Sequence, residues 1–206
     1  MAYLKAAERR RQYVTAARAV LTRDGVAAAT LRAVATEARV SIGTLYYVFP
    51  TKEQLITAVI EDVTEEVSAV FRAATTDAGL DQAIRNGLDS YWEQLVVNDP
   101  QLALMRHELF GYALRTPGLE PMARWQMEGY TRIVAEWAQQ AAGAAGEICA
   151  VPFDTLARVL VANVMGLVLH YLSDHDKARS QRDLHAVADM LIALAVPPVT
   201  STSTSD

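Results

Sequence analysis

Residues Thr30 to Leu55 read TLRAVATEARVSIGTLYYVFPTKEQL, and the stretch divides at its own breakers. Thr30 is a candidate N-cap for a short helix that turns Leu31, Val34 and Ala35 inward and ends near Ala38. Arg39 and Val40 form a turn. Ser41 can cap a second short helix, Ile42 to Phe49, which Pro50 stops. Thr51 then opens a third helix, with Gln54 three residues on in a capping-box pattern. That helix continues to about Ala74. Two short helices around a tight turn, with a long helix leaving them, make a helix-turn-helix arrangement.

Outward from this stretch, helical spacing persists. A first helix is expected over Lys5–Arg23, with Val14, Ala17, Val20 and Leu21 on one face and Gly25 as its C′ residue. Downstream, helices are expected over 81–97, 101–115, 120–142 and 152–172. Asn98-Asp99-Pro100, Thr116-Pro117-Gly118, the Gly143–Gly146 region and Ser173–Asp176 interrupt them. A last helix opens at Ser180, with Asp183 at N3, and stops at Pro197-Pro198. No run alternates as a strand does. The expectation is an all-α protein of about nine helices. Residues 1–50 form a three-helix helix-turn-helix domain, and 51–196 a larger helical domain whose first helix, 51–74, connects the two. Residues 197–206 form a disordered tail.

The 206 residues are 51% hydrophobic and 21% charged, proportions of an ordinary globular chain. A single cysteine, Cys149, excludes an intrachain disulfide and a thiolate-rich metal site, and a reducing compartment fits it. The opening MAYLKAAERRRQY has no apolar run after its charges, so no secretory signal is read there. The most apolar run, Val159–Leu172, is interrupted by Asn163 and Gly166 and reads as a buried helix rather than a membrane span. A cytoplasmic protein with no membrane partner is expected. There is no nucleophile elbow, HExxH, phosphate loop or paired Glu-x-x-His pattern, so no enzyme and no cofactor are expected. His170 and Asp174, four apart, lack a third placed ligand, so no metal is expected either.

Charge is unevenly placed. Residues 1–60 carry nine Lys and Arg against four Asp and Glu, a net +5, and the chain's total of −5 leaves −10 for the remainder. Screening confines phosphate attraction to about 10 Å, so a basic head can bind DNA on an acidic body. A helix entering the major groove needs an apolar inner face, small or hydrogen-bonding residues outside, and phosphate donors at its ends. Leu45 and Phe49 supply the first; Ser41, Thr44, Tyr46 and Tyr47 supply polar atoms; Gly43 permits close approach. Lys52 and the start of the following helix can hold a phosphate. Arg9, Arg10 and Arg11 either follow the backbone or form a solvated face.

At these residues the chain resembles the TetR-type transcriptional regulators. The resemblance is carried by Thr30-Leu31, Ala35, Ala38, Val40-Ser41, Gly43, Leu45-Tyr46-Tyr47, Phe49, Lys52-Glu53 and Leu55, and in the first helix by Val14, Ala16-Ala17, Leu21 and Gly25. It implies that Thr30, Ser41, Thr44, Tyr46, Tyr47 and Lys52 contact DNA, chiefly phosphates, with Ile42 and Thr44 as candidates for base edges. Two positions depart from the family pattern. Arg39 stands where the family usually has Gly, and Val48 where it often has His or Tyr.

The resemblance further implies that the remaining residues bind a ligand and dimerise. From Leu160 to Tyr171 the chain is apolar nearly all round, and Leu184, Val187, Ala188, Leu191 and Leu194 form a stripe, so the last two helices are the expected homodimer surface. Candidate ligand contacts are Trp92, Met105, His107, Glu108, Phe110, Trp125, Tyr130, Asn163 and His170. The expected protein is a dimeric repressor that a small, largely apolar effector releases from a palindromic double-stranded operator. An activator of the same fold and a helical-bundle enzyme are the alternatives.

Overall fold

The computed structural model describes residues 2–74 and 77–196, with side chains from Ala6 onward. The expected tail, 197–206, lies outside the described residues. Nine α-helices occur among the described residues, and no strand: α1 Ala2–Ala28, α2 Leu31–Glu37, α3 Ile42–Val48, α4 Lys52–Ala73, α5 Gly79–Trp92, α6 Pro100–Arg115, α7 Glu120–Ala145, α8 Phe153–Asp174 and α9 Lys177–Ala195. A π-helical segment, Glu93–Val97, extends α5. The chain divides into two compact units, Met1–Val67 with Asn98–Gly129 and Ser68–Val97 with Tyr130–Asp206. Packing thus groups most of α4, α6 and the opening of α7 with α1, α2 and α3.

The first unit is built around one apolar cluster. It takes Tyr13, Ala17, Val20 and Leu21 from α1, Val34 and Ala35 from α2, Leu45 from α3, Ile56, Val59 and Val63 from α4, and Met105, Leu109 and Ala113 from α6. Their three- and four-residue spacing puts each set on one helix face. Helix α1 packs on both α2 and α6, and α2 packs on α3. Gly25 breaks α1 at φ 76°, where a Cβ would be strained, and the expected helix end falls there. Arginines then fix the helices to one another. Arg18 donates to Asp62 at 2.6 Å and Glu66 at 3.0 Å, while the buried Arg106 donates to the same Glu66 at 2.7 Å. These bonds join α1, α4 and α6.

In the second unit α9 packs on α8 and on α5. Helix α5 starts two residues before the expected Asp81, because its cap comes from far along the chain. The Glu147 carboxylate accepts the Leu80 N–H at 2.7 Å, and a Cβ on Gly79 would lie 2.3 Å from that carboxylate. Gly79, at φ 90°, is the residue that allows the approach. The last helix also starts earlier than expected. Asp176, not Ser180, is its N-cap, accepting the Arg179 N–H at 2.9 Å. Ser180 is buried and donates to the Lys177 carbonyl, and Asp183 pairs with Arg179 at 3.6 Å. Helix α8 is longer than its apolar run suggests. At 22 residues and a mean hydropathy of 1.5 in its most apolar window, it meets the length and composition of a membrane span, and a third of that window is buried.

Candidate nucleic-acid interface

The short helix α3 is fixed at its start by local hydrogen bonds. The Ser41 hydroxyl accepts the Thr44 N–H at 3.2 Å and lies 2.8 Å from the Thr44 hydroxyl. Thr30 caps α2 in the same way, accepting the Ala33 N–H at 3.1 Å. Each hydroxyl retains further hydrogen-bonding capacity. Leu45 is fully buried and Phe49 nearly so, which sets the roll of α3. That roll turns Tyr46 and Tyr47 outward, 49% and 88% exposed. Gly43 sits on the exposed side, and a Cβ added there would meet only the Ser41 hydroxyl, at 3.9 Å. Ile42 is half-buried and packs on the apolar cluster, so only part of it remains to face outward.

The turn before α3 carries strain. Arg39 has φ 56°, the left-handed conformation in which a non-glycine residue costs roughly 1 kcal/mol. The Gln12 amide donates to the Ala38 carbonyl at 3.4 Å and steadies the turn from α1. Beside Tyr47, Ala6, Ala7, Arg9, Arg10 and Val48 complete a groove of about 370 Å³. Val48 is half-buried and packs on the apolar cluster. Arg10 lies 5.3 Å above the Phe49 ring and pairs with Glu61 at 3.4 Å.

Lys52 is placed otherwise than the sequence suggests. Its ammonium donates to the Val26 carbonyl at 2.7 Å and lies 5.4 Å from the Tyr112 ring, tying α4 to the end of α1 and to α6. Burial lowers its pKa. The group expected to hold a phosphate therefore already has a partner inside the protein. Nothing in the sequence near Lys52 signals Val26 or Tyr112, which lie 26 and 60 residues away.

The expected ligand contacts fall in both units. In the first, Met105 is buried in the apolar cluster and Phe110 packs against it. His107 bonds the Ala103 carbonyl through Nδ1 at 3.1 Å, Glu108 is exposed, and Trp125 is 40% exposed. In the second, Trp92 is buried edge-on against Tyr171, with ring centroids 5.8 Å apart, and Tyr130 is half-buried. Asn163 donates to the Val159 carbonyl at 2.8 Å along its own helix, and His170 is exposed. Near His170, Asp174 is held by Arg179 at 2.8 Å, and no group of three metal-binding side chains occurs among the described residues.

Two family models match the chain. Residues 14–59 match the bacterial regulatory proteins of the tetR family, and residues 83–197 match the tetracyclin repressor-like C-terminal domain. The chain belongs to the tetR family. Like that family, it is a DNA-binding transcriptional regulator. A relative, the HTH-type nicotine-responsive transcriptional repressor HdnoR of Paenarthrobacter nicotinovorans, is 26% identical over 173 residues, covering 84% of this chain and 88% of the relative. Among solved structures, the multidrug binding protein EbrR complexed with imidazole is 27% identical with a TM-score of 0.65, over 93% of this chain and 97% of that one. A TetR transcription regulator from Haloarcula marismortui shares the fold at a TM-score of 0.77 and 16% identity, over 92% and 99% of the two chains. The tetR-family assignment agrees with the helix-turn-helix reading of residues 30–55 and with the all-α fold.

Proposed function

We propose that this chain is a homodimeric repressor that a small, largely apolar effector releases from a palindromic operator. One observation carries the DNA half of the reading. Leu45 on α3 and Phe49 at its end are buried while Tyr47 between them is 88% exposed, so the helix has a fixed seat and a free polar face. On this reading Thr30, Ser41, Thr44, Tyr46 and Tyr47 contact the DNA backbone, Gly43 lets it come close, and Ile42 and Thr44 touch base edges. The site of action is the cytoplasm, where bacterial operators lie.

Leu184, Ala188 and Leu191 of the expected stripe are buried within the protomer, so dimerisation is supported instead by what α8 and α9 leave uncovered. Ala162, Gly166 and Leu169 on α8, and Ala186, Met190 and Ala193 on α9, are all exposed. Two copies of this face build a four-helix contact and set two reading heads on one two-fold axis. Sensing is supported by the relatives' names, one nicotine-responsive and one multidrug-binding. Helix α4 begins in the first unit and ends in the second, so a displacement of its far end changes the spacing of the heads. To release DNA, the effector must bind the DNA-incompetent state more tightly.

The test is a duplex selected from a random pool by the full-length protein, followed by titration of nicotine and imidazole and then a panel of apolar aromatic compounds. A palindromic duplex released by at least one compound is expected. Failure to enrich any duplex would refute operator binding. An affinity unmoved by every compound would refute the sensing half alone.

A further inference from the structure

We propose that Arg39, in the turn between α2 and α3, binds the DNA backbone as a phosphate clasp. The proposal deepens the operator-binding reading and rests on it.

Two residues other than glycine hold a left-handed backbone among the described residues, Arg39 and His175, both at φ 56°. His175 ends α8, its N–H reaches the Tyr171 carbonyl at 2.7 Å, and its ring lies 5.5 Å from the Tyr171 ring. The chain itself engages that side chain. Arg39 closes its turn with a backbone bond to Thr36 at 3.1 Å, but its side chain is exposed. No hydrogen bond or ion pair reaches its guanidinium among the described residues. Three other arginines of the first unit differ. Arg18 holds Asp62 and Glu66, Arg23 holds Asp24 and Glu37, and Arg106 holds Glu66.

Glycine would make the Arg39 turn without strain, so the backbone does not account for an arginine there. Its place supplies a reason. It stands two residues before Ser41, the cap of the helix that carries Tyr46 and Tyr47 outward. Lys52, the cation expected to hold a phosphate beside α3, is bonded to the Val26 carbonyl instead. A guanidinium suits a phosphate contact beside α3, because its planar fork matches two phosphate oxygens at once.

The experiment measures binding of the full-length protein to its selected duplex across a salt series. Each phosphate contact contributes about 0.9 to the slope of log K against log salt. R39G is expected to bind about tenfold more weakly at low salt, with a slope shallower by about 1 per bound chain. Its melting temperature should stay level or rise by about 2–4 °C, since the strain is gone. R39K should retain the wild-type slope, because it keeps the charge. Wild-type affinity and slope in R39G would overturn the proposal. So would an R39K slope as shallow as that of R39G, which would place the effect in the shape of the turn. If the wild type selects no duplex, operator binding fails before Arg39 is tested, so the two failures are distinguishable.

Discussion

The first compact unit turns some of its aromatic residues outward, whereas the second closes off its largest ones. In the first, α3 turns Tyr46 and Tyr47 into solvent while Leu45 and Phe49 hold it in place. In the second, Trp92, Trp137 and Tyr171 are nearly closed off, and Trp137 meets Phe71 edge-on at 5.1 Å. An outward aromatic carries little of the fold, so its removal should be felt by a partner and hardly by stability. An inward one is bound to the core, so changes around it should be felt by stability first. The contrast separates a surface built for contact from an interior built for packing, and substitutions can break it.

Gly87 offers the largest effect. A Cβ there would lie 2.5 Å from the Trp137 ring and 3.3 Å from Phe71. Gly87→Ala should cost about 2 kcal/mol, read by urea denaturation, because a packed core resists an added carbon. Operator affinity well below the melting temperature should hold. An undiminished stability would show that Trp137 has room to move, and the second unit would not be the tightly packed interior described.

Gly43→Ala probes the opposite surface. The protein leaves space for the added methyl group, and alanine favours the helix by roughly 0.5–1 kcal/mol. Stability should rise slightly while affinity for the selected duplex falls about tenfold, if DNA approaches α3 at van der Waals distance. Equal affinities would mean that the DNA does not come close at Gly43.

Lys52 gives the smallest effect and sharpens the boundary between the two behaviours. Lys52→Met removes the bond to the Val26 carbonyl and should cost about 1 kcal/mol. It should leave the salt slope of DNA binding unchanged, whereas a slope shallower by about 1 would return Lys52 to the phosphate donors. Burial also gives a pH signature. Burial holds the folded-state pKa below the ordinary lysine value of 10.5, so between the two the unfolded chain binds more protons. Wild-type stability relative to Lys52→Met should therefore rise with pH through that window.

What could be read from the sequence was what the chain settles locally. Thr30 and Ser41 cap helices three residues away, and the breakers Gly25, Pro50 and Pro100 lie at or beside the helix ends they mark. The inward turn of Leu45 and Phe49 follows from four-residue spacing alone. Arg39 was legible as a departure, and its φ of 56° shows that the turn keeps its left-handed shape without glycine. Distant partners were not legible. Glu147 caps α5 across 67 positions, Arg85 reaches Asp189 across 104, and Lys52 meets Val26 and Tyr112. The ligand candidates show the same gap. Residue type named Met105, Glu108 and His170 together, yet one is core and two face solvent, and helical spacing carries no sign of which.

The most direct test of the account is the operator affinity of Tyr47→Ala beside its thermal stability. With the side chain 88% exposed, the melting temperature should stay within about 2 °C of the wild type. Affinity for the selected duplex should fall tenfold or more, at about 1.4 kcal/mol for each factor of ten. Wild-type affinity in a folded Tyr47→Ala protein would contradict the claim that the outward face of α3 is the surface that meets DNA.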